Sequence, residues 1–270
     1  MTSVTRDRLD VVLVARGLAR SRSRAQELIT NGRVRVDGRP VTKPSLAVGA
    51  GVIEVDDDPW VSRAAHKLLG ALDDTGIRVP ARVLDAGAST GGFTQVLVSR
   101  GAGRVYAVDV GHGQLAPEVA ADAHVVSREG LNLRDLTLAD VDGEPVGLVV
   151  ADVSFISLRL LVSPLLAVLD PQGTALLLVK PQFEVGRRAL GSAGVVRSPL
   201  LRQQAVDDVA AEAARVGWQE CWRGQSRLPG PAGNVEWFLA LRRTGAPGLS
   251  EKKAPVHRSS ERSPFDTADD

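Results

Sequence analysis

One segment, Arg82–Thr94, constrains the fold of this chain more than any other. A short apolar run ends at Asp85, three glycines follow between residues 87 and 92, and an apolar stretch from Gln95 predicts the first turn of a helix. A strand, a glycine turn and a helix in this order are typical of an open α/β sheet, where nucleotide-like ligands bind at the turn. The segment therefore predicts a doubly wound sheet with a ligand site after its first strand.

The spacing of the glycines restricts the kind of ligand. Phe93 stands where the phosphate-binding loop G-x-x-x-x-G-K-[ST] needs its lysine, which argues against an NTPase. The dinucleotide motif G-x-G-x-x-G needs a second glycine two residues after the first, so that the backbone can approach the pyrophosphate closely. Here Ala88 and Ser89 follow Gly87, so that glycine is missing. What remains is a nucleoside without a phosphate chain, of which S-adenosylmethionine is the commonest. The turn alone is equally compatible with a plain connection between a strand and a helix.

The distribution of charge says more than the bulk composition. The 270 residues can form one large domain or two unequal ones, and the net charge of +1 predicts no partner. Residues 1–47, however, carry ten Arg and Lys against four acidic residues, which favours a polyanionic partner. Cys221 is the only cysteine, which indicates a reducing compartment, and no apolar run suits a signal peptide or a membrane span. We therefore predict a monomeric cytoplasmic protein with no membrane partner and no metal.

The basic N-terminal region has the pattern of a small α+β domain. Apolar residues at helical spacing and alternating apolar residues predict two helices followed by short strands, with Ser21 or Ser23 capping the second helix. The predicted elements are a helix over 8–16, a helix over 21–31, strands over 33–36 and 52–55, and a tight turn at Asp37-Gly38.

Two segments of this region, Leu18–Ile29 and Gly32–Gly38, resemble the RNA-binding domain named after ribosomal protein S four, and the resemblance covers residues 6–55. It implies that a structured RNA is held through its phosphates, so that binding depends steeply on salt. The alternative is that the arginines form a solvated helix face. The residues expected to contact RNA are Arg6, Arg16, Arg20, Arg22, Arg24, Arg33, Arg35 and Lys43.

A composition break separates this region, predicted as a domain over residues 1–55, from the rest of the chain. Residues 56–61 form the predicted linker, 62–243 a second domain, and 244–270 a disordered tail rich in Pro, Ser and charge. Strands and helices alternate through the second domain, which predicts a Rossmann-like α/β sheet closed by an antiparallel pair of late strands. Its predicted strands end in four residues that suit ligand chemistry: Asp85, Asp109, Asp152 and Lys180.

Asp109 is placed to accept hydrogen bonds from both hydroxyls of a ribose, as acids at this position of NAD sites do. Together with the missing pyrophosphate motif, it favours S-adenosylmethionine. Asp85 is expected near the methionine amino group or as a structural carboxylate under the turn, and Phe93 is either a cofactor contact or a core residue. The predicted cofactor-binding residues are Asp85, Gly87, Ala88, Ser89, Thr90, Gly91, Gly92, Phe93, Asp109, Asp152 and Phe155.

The sequence also restricts the methyl acceptor. Residues 152–155 lack the two prolines typical of enzymes that methylate exocyclic amines of bases. Methylation of a base carbon would need a cysteine, but Cys221 is predicted on a late strand away from the strand ends that carry the site. A hydroxyl remains, and a buried lysine can accept or orient its proton. This makes Lys180 the candidate, with Lys67 as its neighbour; ordinary ion pairs are the alternative.

Four residues, Lys67, Asp152, Lys180 and Glu236, resemble the Lys-Asp-Lys-Glu set of FtsJ-like ribose 2′-O-methyltransferases in order and strand position. Residues 6–243 resemble a bacterial family of rRNA cytidine 2′-O-methyltransferases that have also been named hemolysins. The resemblance implies S-adenosylmethionine-dependent methylation of cytidine ribose in small- and large-subunit rRNA, with an influence on capreomycin and viomycin sensitivity. We expect Lys180, assisted by Asp152 and Lys67, to deprotonate or orient the 2′-hydroxyl. Glu236 is expected to position Lys180 or the ribose.

Two other functions stay open at this point. One is a non-catalytic RNA-binding factor of ribosome assembly, and the other is a hemolysin-like membrane activity, which the lack of a strongly apolar helix weakens. The sequence also departs from the family before Trp60, where the acidic residues 56–58 and Pro59 stand in place of a basic residue and alanine. The part that the linker plays in forming the cofactor pocket is therefore in doubt.

Overall fold

The computed structural model describes residues 7–56, 58–186, 190–191 and 194–245. The chain divides into two units, Met1–Pro59 and Trp60–Asp270. Arg6, which was expected to contact RNA, lies outside the described residues, and so does the part of the predicted disordered tail from residue 246 onwards.

The first unit follows the pattern predicted for it. Ser21 accepts a hydrogen bond from the backbone N–H of Arg24 and caps the second helix, which decides between the two predicted caps. Asp37 and Gly38 have φ angles of 50° and 75°, as a two-residue hairpin turn requires. The elements of this unit are β1 Asp7–Arg8, α1 Leu9–Ala15, α2 Arg22–Thr30, β2 Val34–Val36, β3 Arg39–Val41, β4 Ala47–Val48 and β5 Ile53–Val55.

A small apolar core holds the first unit together. Leu9 and Leu13 lie four residues apart in α1, and Ala25 and Ile29 lie four apart in α2, so each pair occupies one face of its helix. All four side chains are fully buried in one cluster, together with Val34 of β2. The antiparallel pair of β1 and β4 is a small addition that the sequence pattern did not predict.

The second unit is built on one sheet of seven strands. Their bounds are β6 Arg82–Ala86, β7 Arg104–Asp109, β8 Val125–Glu129, β9 Val146–Ala151, β10 Leu169–Val179, β11 Trp218–Gln225 and β12 Trp237–Arg243. The strand order is β11-β12-β10-β9-β6-β7-β8, with β12 antiparallel to both of its neighbours. The chain adds β7 and β8 on one side of β6 and then β9 and β10 on the other side. Ligands of such sheets bind where the strand order reverses, beyond the carboxyl ends of the strands. The predicted fold class, a Rossmann-like sheet with a small α+β domain before it, is confirmed.

Helices connect these strands. Their bounds are α3 Ala64–Thr75, α4 Gly92–Ser99, α5 Pro117–Ala120, α6 Val162–Ala167, α7 Pro181–Glu184 and α8 Pro199–Arg215. Three short 3-10 helices add Leu133–Asp135, Leu138–Val141 and Leu158–Leu160. Within the described ranges, none of the helices has the length and apolarity needed to cross a membrane.

Both faces of the sheet are covered, and the alternation of side chains along the central strands explains how. Val149 and Ala151 of β9 belong to one apolar cluster, whereas Leu148 and Val150 of the same strand belong to the other. All four are fully buried. Since successive side chains of a strand point to opposite faces, a strand buried on both sides needs a continuous apolar run, which this segment has.

Two element boundaries differ from prediction, and the two helix starts lie close together. The sequence predicts Ser62 as the cap of α3, but the helix begins at Ala64 with Arg63 in the cap position, and the Ser62 hydroxyl accepts a hydrogen bond from the backbone N–H of Ala64 at 3.3 Å. Helix α4 begins at Gly92, three residues before the predicted Gln95. A Cβ at Gly92 would lie 2.3 Å from the Ser62 hydroxyl, so Ser62 packs against the glycine turn and only glycine fits opposite it.

Candidate active site

The glycine turn after β6 is shaped by its neighbours. Gly87 and Gly91 have φ angles of 84° and 93°, a region that other residues rarely adopt. A Cβ at Gly87 would lie 2.8 Å from the backbone oxygen of Asp152, and one at Gly91 would lie 2.8 Å from Leu115. The turn therefore brings the ends of β6 and β9 and the loop after β7 into direct contact.

Asp109 connects the turn to the loop after β7. One carboxylate oxygen accepts a hydrogen bond from the backbone N–H of Ser89 at 2.8 Å, and the other accepts from Gly111 at 2.8 Å. Each carboxylate oxygen keeps a further lone pair, since an ionised carboxylate offers about four acceptor positions. Ser89 has a φ of 48°, so this contact holds a non-glycine residue in the left-handed region. Asp109 is thus fixed in place and can still accept hydrogen bonds.

A cleft of about 560 Å³ lies beyond these strand ends, within the size range of small-molecule sites. Five of the predicted cofactor-binding residues line it: Gly87, Ser89, Asp109, Asp152 and Phe155. The sequence interpretation missed several others, including Gln114, Asn132, Val153, Ser154 and Ile156. Residues 153–156 were within reach of prediction because they follow Asp152 directly, whereas Gln114 and Asn132 lie on loops without a recognisable motif.

A second cleft, of about 280 Å³, lies on the other side of the glycine turn. Lys67 and Lys180 line it, together with the predicted residues Gly87, Ala88, Ser89, Thr90, Gly92, Phe93 and Asp152. Four residues line both clefts, and we call them the shared wall: Gly87, Ser89, Asp152 and Ser154. Two ligands bound in these clefts would therefore meet across the shared wall.

Two ion pairs lie at the second cleft, one partly buried and one fully buried. The Nζ of Lys180 lies 2.6 Å from Oδ1 of Asp152 and donates a hydrogen bond to the Ser154 hydroxyl at 2.8 Å. The Nζ of Lys67 lies 2.6 Å from Oε2 of Glu236, and the two side chains are only 5% and 1% exposed. Both lysines thus form ion pairs, as the alternative interpretation expected, yet they do so around one cleft. Glu236 contacts Lys67, not Lys180 as the sequence interpretation had allowed.

Three predicted site residues line neither cleft. Gly91 serves the turn, Glu236 lies behind Lys67, and the Asp85 side chain is fully buried beneath the turn. Thr94 donates a hydrogen bond to Oδ2 of Asp85 at 2.6 Å, while Oδ1 has no hydrogen-bond partner. Burial raises the pKa of Asp85 to about 7. The geometry suits the structural carboxylate better than the contact with a methionine amino group.

The raised pKa of Asp85 predicts a pH effect on stability. Between about pH 4 and about pH 7 the folded chain keeps a proton on Asp85 that the unfolded chain has released, so this residue's contribution to stability falls as pH rises. Asp85→Asn has no proton to lose. Urea unfolding should therefore show the variant gaining stability relative to wild type as pH rises to about 7. A stability difference that stays constant with pH would contradict the raised pKa.

Phe155 lies at the mouth of the larger cleft. It is 93% exposed, has a φ of 63°, and its ring lies 5.4 Å from that of Phe183 between centroids. Phe93, by contrast, is buried, lines the smaller cleft and stacks on Phe238 at 6.2 Å, so it is a core residue, and its contact with a cofactor stays a prediction. Among the residues that the structure describes, no group of His, Cys, Asp and Glu is arranged to hold a metal ion.

Several arginines predicted to contact RNA also form contacts within the first unit. Arg16 donates to the backbone oxygens of Gly49 and Gly51, and Arg24 pairs with Glu27 and is only 13% exposed. Arg22 forms an ion pair with Asp10, and Arg33 forms ion pairs with Asp56 and Asp58. The other predicted residues of this unit, Arg20, Arg35 and Lys43, have exposed side chains.

Asp10 organises part of this arginine cluster. Its side chain is fully buried and accepts hydrogen bonds from Arg8, Gln26 and Arg22. These contacts, with Arg8 first, hold the pKa of Asp10 well below its usual range. Arg22 therefore has a structural role, although its side chain remains 58% exposed.

Comparison with known proteins identifies both units. The sequence profile of the FtsJ-like methyltransferase family matches residues 60–243, and that of the S4 domain matches residues 7–53. The 16S/23S rRNA (cytidine-2′-O)-methyltransferase TlyA of Mycobacterium tuberculosis is 49% identical over 261 residues, which cover 94% of this chain and 97% of that protein. Hemolysin A of Brachyspira hyodysenteriae is 36% identical over 234 residues, 86% of this chain and 98% of that protein.

A solved structure agrees with these matches. A Streptococcus thermophilus protein named as a hemolysin has a TM-score of 0.71 and 33% sequence identity, and the alignment covers 91% of each chain. The chain therefore belongs to the FtsJ-like methyltransferase family, with an S4 domain ahead of its methyltransferase domain.

Proposed function

We propose that this protein methylates the 2′-hydroxyl of cytidine in ribosomal RNA, with S-adenosylmethionine as methyl donor. The observation that carries the proposal is the placement of Lys180 in the second cleft, with its ammonium held by Asp152 and Ser154, two residues of the wall shared with the larger cleft. A transferase of this kind needs one site for the donor, one for the acceptor and an aligned group between them. The relatives named as rRNA cytidine-2′-O-methyltransferases support the choice of acceptor.

The larger cleft fits the cofactor. Asp109 offers carboxylate lone pairs suited to the two hydroxyls of a ribose, and its position is fixed by Ser89 and Gly111. Gly87 and Ser89 would lie against the cofactor from the turn, and Asn132 and Phe155 from the opposite loops. When bound, S-adenosylmethionine supplies an electrophilic methyl group carried on a positively charged sulfur.

Lys180 is placed to hold the acceptor hydroxyl. An ammonium has three N–H donors. One of them hydrogen-bonds the Ser154 hydroxyl at 2.8 Å, and the positive charge pairs with Asp152, whose Oδ1 lies 2.6 Å from Nζ. A further N–H can hydrogen-bond the 2′-oxygen and fix its direction at the shared wall. Methylation releases the hydroxyl proton, which a protonated ammonium cannot accept. Lys180 therefore passes one of its own protons to the carboxylate of Asp152, and the resulting neutral amine takes up the proton of the hydroxyl. Lys67, held by Glu236, adds positive charge to the same cleft.

The S4 domain is proposed to hold the RNA. Exposed basic side chains, among them Arg35 and Lys43, suit contacts with phosphates, which position a nucleic acid without reading its sequence.

We propose domain limits of 1–55 and 62–243, with residues 56–61 as the linker. We also propose that the protein is cytoplasmic and monomeric and acts on rRNA or ribosomal subunits.

The proposed activity is tested by incubating the purified chain with methyl-labelled S-adenosylmethionine and either free rRNA or purified small and large ribosomal subunits. The expected result is label on the 2′-oxygen of specific cytidines, found by digesting the RNA to nucleosides and mapping the sites. Label on bases would contradict the hydroxyl acceptor. RNA binding without any transfer would favour a non-catalytic assembly factor.

Arg35→Gln tests the RNA contact of the first unit. Loss of one phosphate contact should weaken rRNA binding at every sequence and lower the slope of log Kd against log salt by about 1. Arg215→Gln is the matched control, because Arg215 is 76% exposed, ends α8 and lines neither cleft. Binding is measured by filter retention over a salt series. Equal slopes for wild type and Arg35→Gln would remove this residue from the RNA surface.

A further inference from the structure

Two segments of the methyltransferase domain are joined through three residues of the second segment, and their contacts follow the same order along both segments. The first segment, residues 152–158, follows β9, and the second, residues 180–184, follows β10. The contacts join Lys180 to Asp152 and Ser154, Phe183 to Phe155, and Glu184 to Ser157 and Leu158. The first of these contacts lies at the shared wall and the last lies outside both clefts.

Glu184 uses both of its carboxylate oxygens in this arrangement. The Ser157 hydroxyl donates to Oε2 at 2.5 Å, and the backbone N–H of Leu158 donates to Oε1 at 2.8 Å. The side chain is partly withdrawn from water, and burial raises the pKa of Glu184. A carboxylate that accepts two hydrogen bonds from one segment fixes that segment's backbone more firmly than a single bond would.

Phe155, in the middle of the first segment, needs its backbone to be held in place. Phe155 has a φ of 63°, a strained conformation for a non-glycine residue, which persists only where the surrounding structure holds it. Burial cannot hold it, because Phe155 is 93% exposed. What fixes the backbone on its two sides is Lys180, through Ser154, and Glu184, through Ser157.

We propose that Glu184 is a positioning residue for methyl transfer: by holding Ser157 and Leu158, it keeps Asp152 and Ser154 on the ammonium of Lys180. The proposal rests on the proposed function and extends it to a residue that lines neither cleft. Release of Glu184 would let the strained backbone at Phe155 relax, which would shift Ser154 away from Lys180. A displacement of about 1 Å in such a constellation costs about a hundredfold in rate.

Three variants separate positioning from other roles. Glu184→Ala removes both acceptors. Glu184→Gln keeps one acceptor for Leu158, and its amide can donate to Ser157, since a hydroxyl both donates and accepts. Positioning therefore survives in Glu184→Gln, whereas a role that needs the negative charge does not. Glu212→Ala is the control, because Glu212 is a part-exposed glutamate of α8 whose ion pair is formed within that helix, with Arg215.

The rate is measured as single-turnover methyl transfer to rRNA, divided by the number of cofactor-binding sites found by equilibrium dialysis, so that unfolded protein is not counted. We expect Glu184→Ala to lower this rate by about ten- to a hundredfold. Glu184→Gln and Glu212→Ala should stay within about threefold of wild type. A wild-type rate per site in Glu184→Ala overturns the proposal, and so does a Glu184→Gln variant as slow as Glu184→Ala.

Hydrogen exchange gives a second readout that does not depend on activity. Amides of residues 153–158 should exchange faster in Glu184→Ala than in wild type, while those of the central strands stay protected. Unchanged exchange in this segment overturns the proposal by itself. Absence of methyl transfer in the wild-type chain would instead refute the proposed function, and the exchange rates would then decide whether Glu184 holds the segment.

Discussion

Lys180→Ala should lower methyl transfer by about a thousandfold, within the range expected for loss of a group that moves or orients a proton. The reason is geometric. Lys180 is the group at the shared wall whose ammonium is fixed by two partners, Asp152 and Ser154, and still has a donor to spare. Without it the acceptor hydroxyl loses both its orientation and a route for its proton. Single-turnover transfer to rRNA measures the effect.

Binding measurements separate this loss from a general defect. Cofactor and rRNA affinity should stay near wild type in Lys180→Ala, because Asp109 and the S4 domain are untouched. Lys180→Arg is a useful companion variant, since it keeps the charge but replaces a compact ammonium with a planar group that is not readily deprotonated. We expect it to bind as wild type does and to remain slow. Full activity in either variant would end the assignment of Lys180.

Lys67→Met should destabilise the methyltransferase domain by about 3–5 kcal/mol, because it leaves a buried carboxylate without its partner. Glu236 is 1% exposed, its Oε2 is paired to Lys67 at 2.6 Å, and its Oε1 has no hydrogen-bond partner. A Cβ at Gly230 would lie 2.5 Å from Oε1, so that atom is closely covered. Urea unfolding followed by tryptophan fluorescence measures the loss.

A double variant separates the structural role of this pair from its role in the reaction. In Lys67→Met/Glu236→Gln the unpaired charge is gone, so much of the lost stability should return, since replacing a whole buried ion pair is often nearly neutral. Methyl transfer should stay low, because the positive charge of Lys67 is missing from the cleft. Recovery of both stability and activity would show that the pair is structural only. Failure to recover stability would contradict the proposed cause of the destabilisation.

Sequence periodicity predicted most of the fold. The continuous apolar runs of β9 and β10 and the helical spacing in α1 and α2 are local patterns, and local patterns are visible in one sequence. The ends of elements were predicted less closely. Helix α3 begins at Ala64 with Arg63 in the cap position, although the Ser62 hydroxyl, which was predicted to cap this helix, still accepts a hydrogen bond from the backbone N–H of Ala64 at 3.3 Å while it packs against Gly92.

Some residues of the site were predicted correctly from their position at strand ends, and others were not. Strand ends located Asp109, Asp152 and Lys180, all of which line the clefts. Asp85 also ends a strand, yet its side chain is buried under the turn beside Thr94. The end of a strand fixes where the backbone leaves the sheet. It does not fix whether the side chain there faces a cleft or is buried beneath the loops that pack around it.

The sequence by itself determined the alternation of strands and helices, the glycine turn at residues 87–92 and the types of residue that carry the chemistry, because all of these depend on short-range patterns. Only the tertiary structure decided which partners meet. Lys67 and Glu236 are 169 residues apart and Lys180 and Ser154 are 26 apart, and no local pattern specifies either contact. The arrangement of two clefts around one wall, which is what makes methyl transfer possible, follows from the packing of loops on the sheet.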